Sequence, residues 1–90
     1  DGLCDCNKHG THCAGLVNSK TSGYNLHTTL HSGKVFNWMG SASYATILEA
    51  MDWAGETHIN NYPESPGIVS MSLGGGFSAS VNAAVKALHD

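Results

Sequence analysis

"GIVSMSLGGG", residues 67–76, decides how the rest of the chain is read. Ile68, Val69, Met71 and Leu73 form a short, mostly apolar run that ends in three glycines. Such a run predicts a strand covered on both faces, as in a parallel sheet. Upstream, "SASYATILEAMDWAGE" (41–56) places Tyr44, Ile47, Leu48, Met51 and Ala54 on one continuous helical face. Ser41 or Ser43 is available to cap that helix, because a serine oxygen can accept from an unpaired first-turn N–H. Ile47, Met51 and Trp53 are expected in the core. Residues 57–66, "THINNYPESP", read as a polar loop. Downstream, Val81, Ala84, Val85 and Leu88 again keep helical spacing, with Ser78 or Ser80 as the cap.

Further out, Leu26 to Phe36 carries β-branched and apolar residues and predicts one or two strands, broken at Ser32-Gly33. Residues 18–25 are turn formers. A helix is expected from near His9 through Ala14, Leu16 and Val17; Gly15 weakens it by about 1 kcal/mol relative to alanine. The order helix, strand, helix, strand, helix predicts an α/β fold with right-handed crossovers onto a parallel sheet. Two or three parallel strands would leave both edges unpaired. The expectation is therefore one unit, residues 1–90, forming an internal piece of a larger domain and folding poorly by itself.

Composition narrows the function classes. The chain has 90 residues, 41% of them hydrophobic and 12% charged, with a net charge of −3. Lys8, Lys20, Lys34 and Lys86 are scattered singly and arginine is absent, which argues against a nucleic-acid partner. No apolar run approaches the roughly 18 residues of a membrane helix. No basic segment leading into an apolar stretch marks a signal peptide. Of the 3 cysteines, Cys4 and Cys6 stand too close in sequence to be expected to bridge each other.

The remaining chemistry is concentrated in "NKHGTHCAG", residues 7–15. Zinc favours cysteine and histidine ligands, and Cys4, Cys6, His9, His12 and Cys13 supply five within a short stretch. Their spacing matches none of the usual zinc patterns, so a small zinc module stands as a lesser alternative. His27, His31, His58 and His89 share no spacing and read as surface or loop residues. The triple glycine could suggest a phosphate loop, but the G-K-[ST] ending is missing.

"HGTHCAG" (9–15), followed by "SMSLGGGFSASVNAAV" (70–85), resembles the subtilisin-like serine proteases, and among them the proteinase K-like branch. The intervening "GKVFNWMGSASYATILEAMDWA" (33–54) matches that family's strand, glycine-serine segment and helix. The resemblance implies part of a three-layer, parallel-sheet fold and a serine endopeptidase using a Ser-His-Asp triad. It makes His9 the catalytic base, while the aspartate, the G-T-S-M-A serine and the oxyanion asparagine would come from outside these residues. The chain alone is expected to be inactive. His12 would point inward as a structural residue, and Cys13 would sit beneath His9.

The resemblance further implies a groove in which an extended peptide pairs as an added strand. Gly40, Ser41 and Ala42 would form one wall, and Ser72, Leu73 and Gly74 the other. Gly74 and Gly75 would leave room for a large side chain; Phe36 and Gly40 would border the next subsite; Tyr44 and Leu73 would line an apolar pocket. Peptide or protein substrates, secretion, an N-terminal propeptide inhibitor and calcium in the parent protein are implied in the same way. No cofactor or metal is assigned to residues 1–90. A non-catalytic peptide-binding paralogue is the alternative within the fold. Lys8 departs from the family pattern, which has a small residue before the histidine. "HSGKVF" and Asn37, Trp38 and Met39 depart at the groove rim.

Overall fold

The computed structural model describes residues 4–90. It contains α1 (His9–Asn18), α2 (Tyr44–Asn61) and α3 (Ala79–His89). The chain divides into two compact units, one up to Ala42 and one spanning Ser43–Asp90.

In the first unit α1 starts at His9 as its sequence predicts and tolerates Gly15 inside it. It ends where the Ser19 N–H bonds the Gly15 carbonyl at 2.9 Å. Residues 26–36 then run without regular structure to a turn at Asn37–Ser41. The Asn37 side-chain oxygen accepts from the Met39 and Ser41 amides at 3.0 and 3.1 Å. Gly40 N–H closes the turn on the Asn37 carbonyl at 2.9 Å. Gly40 has φ 79°, a left-handed conformation that glycine adopts without a Cβ clash.

The second unit is a pair of packed helices, α2 against α3. Ser43 caps α2 through the Thr46 N–H at 3.2 Å, and Ser78 caps α3 through the Val81 N–H at 3.3 Å. Ile47 and Met51, one turn apart, form the buried core at 7% and 4% exposure. Gly55 brings the helices close: a Cβ there would lie 3.2 Å from Leu88 Cδ2.

Three expectations are corrected. Among the described residues there is no strand, so the parallel sheet predicted from 26–36 and 67–73 is not formed. Strands need lateral partners for every backbone N–H and C=O, and neither unit supplies a ladder for these runs. Ile68, predicted to be covered on both faces, is 96% exposed. Second, residues 57–61 belong to α2 rather than to a loop. The helix stops at Tyr62, where Pro63 disfavours a helical conformation for its predecessor. Third, Trp53 is 44% exposed and stands outside the core. It lies two residues beyond Met51, on the other side of the helix.

Candidate active site

Cysteine chemistry shapes the approach to His9. Cys4 and Cys6 form a disulfide with Cα atoms 5.3 Å apart, against the sequence expectation that they would not pair. That separation is well within disulfide reach, so spacing alone was a poor guide. Asp5 sits inside this small loop. Its carboxylate accepts from the Thr11 N–H at 2.9 Å, from the Thr11 hydroxyl, and from the Lys8 N–H at 3.2 Å.

These bonds close the N-terminus of α1. The first amides of a helix have no internal acceptor, and Asp5 serves one of them from outside the usual cap position. Lys8, the residue in that cap position, offers no side-chain bond and has φ 73°. It is the only non-glycine residue with positive φ among those described. Hydrogen bonds from the Thr11 side chain and backbone, with the Lys8 amide and the Lys34 charge, hold the Asp5 carboxyl below its ordinary 3.8.

His9 is the first residue of α1 and is exposed. One turn later, half-buried Cys13 places its Sγ 3.6 Å from His9 Nε2. Thiol and imidazole thus meet on one helical face. His12 is exposed, whereas the resemblance implied that it points inward. Space beside Gly10 faces the carboxylate, since a Cβ there would be 3.9 Å from Asp5 Oδ2. The turn holding Gly40 and Ser41 is tied to the segment before His9, because the Asn7 amide donates to the Trp38 carbonyl at 3.1 Å. Phe36 and Ala42 are half-buried around that turn.

In the second unit, Tyr44, Leu73, Gly74 and Gly75 border one cleft of about 250 Å³ with Ile47 and Phe77. The Tyr44 hydroxyl donates to the Gly76 carbonyl at 2.6 Å. A Cβ on Gly75 would come within 2.8 Å of that hydroxyl, so a larger residue there would have to displace the Tyr44 side chain. Ser72 is exposed and does not line the cleft.

A zinc module loses ground on this geometry. Two of its five candidate ligands are joined to each other, and no three histidine, cysteine or acidic side chains converge among the described residues.

The Subtilase family model matches residues 2–89. The chain belongs to the subtilase family. Proteinase R of Parengyodontium album is 43% identical over 85 residues, covering 94% of this chain and 22% of that protein. The cuticle-degrading protease of Metarhizium anisopliae is 44% identical over 84 residues, covering 93% and 22%. An extracellular serine proteinase of a Thermus species is 38% identical over 81 residues, covering 90% and 18%. These similarities place the subtilase chain in the proteinase K-like branch. It spans about a fifth of the length of the curated relatives it matches. No solved structure matches it.

Sequence reasoning did not single out Asp5 or Asn7, and it named Asn37 at the groove rim without its turn-forming role. Asp5 and Asn37 are short polar side chains acting on nearby backbone, whereas Asn7 reaches the Trp38 carbonyl 31 residues on. The available signal was an asparagine or aspartate placed just before a glycine-containing turn or a helix start.

Proposed function

We propose that the protein is a serine endopeptidase in which residues 1–90 form part of one catalytic domain and His9 is the general base. The observation that carries this reading is His9 at the head of α1, within a chain matched to the subtilases from residue 2 to 89. An imidazole suits the task because its ordinary pKa, roughly 6.5, leaves a neutral fraction able to take a proton near neutral pH. The serine hydroxyl attacks the peptide carbonyl while His9 accepts its proton. His9 then returns that proton to the departing amine. An aspartate holding the ring and the nucleophile itself come from other parts of the parent protein.

Substrates in this reading are extended peptides or proteins. Phe36, Gly40, Ser41 and Ala42 serve them in the first unit, and Tyr44, Ser72, Leu73, Gly74 and Gly75 in the second. The cleft beside Tyr44 suits an apolar side chain. Cys13 acts structurally beside the base, whereas the exposed His12 is given no packing role. Secretion fits the Cys4–Cys6 disulfide, since such bonds persist in oxidising compartments. The Thermus relative is itself named extracellular. Calcium binding and an inhibitory N-terminal propeptide in the parent rest on family membership alone.

A fluorophosphonate probe tests the proposal on the protein encoded by the whole gene. Labelling at one serine, lost in His9→Ala together with roughly four to six orders of magnitude in kcat, is the expected result. Peptide binding without any serine labelling would instead establish the non-catalytic paralogue.

A further inference from the structure

The loop preceding His9 contains two features that a protease base does not by itself require. A disulfide closes around a single residue, Asp5, and the next cap position holds a lysine in the left-handed region. So small a loop removes little chain entropy, because that contribution grows with loop length. Its consequence is local: it restricts the backbone on either side of Asp5. The Asp5 carboxylate in turn bonds three donors, namely the Lys8 amide and both the amide and hydroxyl of Thr11. A left-handed lysine persists only where surrounding structure over-determines it, and the Lys8 N–H is one of those three donors. His9 lies between Lys8 and Thr11, flanked on both sides by backbone that Asp5 holds.

We propose that Asp5 is the positioning residue of His9 and that the Cys4–Cys6 disulfide holds Asp5 in place, making the first turn of α1 sensitive to a dithiol. The inference rests on the assignment of His9 as the base. Reduction breaks the S–S bond as the dithiol supplies two electrons and two protons. Cys4 and Cys6 become thiols and the reductant closes into its own cyclic disulfide. Both cysteines are exposed, so the reductant can reach them. With the loop open, Asp5 leaves Thr11 and Lys8, and the imidazole loses its fixed origin.

Two measurements test this. In the isotopically labelled full-length protein, the Thr11 amide is expected to exchange at least tenfold faster after dithiol treatment, with a shift of the His9 ring signals. Asp5→Ala should do the same without reductant, Asp5→Glu should recover part of the protection, and the Cys4→Ser/Cys6→Ser variant should no longer respond to dithiol. In the full-length enzyme, Asp5→Ala should lower kcat at least tenfold with KM within twofold. Other disulfides of that enzyme are controlled for by the double serine variant, which retains them. A Thr11 amide unprotected in the oxidised chain, or equally protected after reduction, overturns the proposal. So does an unchanged kcat in Asp5→Ala. If the full-length protein labels at no serine, the protease reading fails, while the Thr11 exchange still decides whether Asp5 and the disulfide hold the turn.

Discussion

The segment up to Ala42 and the segment from Ser43 are held by different physics. The second has two helices with serine caps, and Ile47 and Met51 are its buried side chains. The first has one helix and no buried residue among those described. Its links are polar and exposed: Asp5 to Thr11 and Lys8, Asn7 to Trp38, Asn18 to Thr28, Asn37 to Met39 and Ser41. Each exposed hydrogen bond contributes little net, because water competes for the same groups. Constraint there comes from a disulfide and a glycine turn. The proposed base therefore sits in the segment with less apolar support.

The largest expected effect lies in the second segment. Met51→Ala should destabilise the α2–α3 pair by about 2–3 kcal/mol, the cost of an unfilled cavity plus lost transfer energy. Amide exchange along α2 in the full-length protein would measure it. A loss no greater than that caused by an exposed substitution would remove the contrast between the segments. Tyr44→Phe is smaller. It deletes the donor to Gly76 and should cost about 1 kcal/mol, while loosening the glycine wall of the cleft. Amide exchange at residues 74–77 should rise in that variant.

Legibility followed the range of the interaction. The start of α1 and the apolar face of α2 were readable, and each later cap was narrowed to two serines of which Ser43 and Ser78 are the ones used, because these features depend on residues within a turn or two. The strands expected at 26–36 and 67–73 were not, because a ladder depends on distant partners that no local pattern reports. The polar composition of 57–61 concealed the last turn of α2, although Pro63 was the available signal for its end. Asp5 was hidden because the cap position itself holds Lys8, and the acceptor comes from three residues earlier. His9 and Cys13 were legible as types, and their 3.6 Å approach follows from a four-residue spacing on a helix.

Within the first segment, Lys8→Gly should stabilise α1 by up to about 1 kcal/mol. The left-handed conformation costs an L-residue roughly 1–2 kcal/mol, part of which glycine returns through its freer unfolded state. The Lys8 N–H bond to Asp5 involves backbone and survives the change. Protection of the α1 amides from exchange in the full-length protein would show the shift. No gain would mean that neighbouring structure already absorbs the strain.

The smallest expected effect is confined to the first turn of α1. Asp5 has a lowered carboxyl pKa in the folded chain, chiefly through the Thr11 hydroxyl and amide. A depressed pKa means that the folded state binds the proton less readily than the unfolded one. The resulting stabilisation is fully present above the ordinary carboxylate value of 3.8 and is lost as pH falls through the lower folded value. Protonation converts an acceptor of three hydrogen bonds into a weaker partner. The Thr11 amide resonance should therefore titrate below that ordinary value, and its protection relative to the intrinsic exchange rate at each pH should fall in acid. Signals of Ile47 and Met51, in the other segment, should not follow the same curve. Asp5→Asn should abolish the Thr11 titration. If Thr11 titrated at the ordinary aspartate value, its bonds to Asp5 would not distinguish the folded chain from the unfolded one.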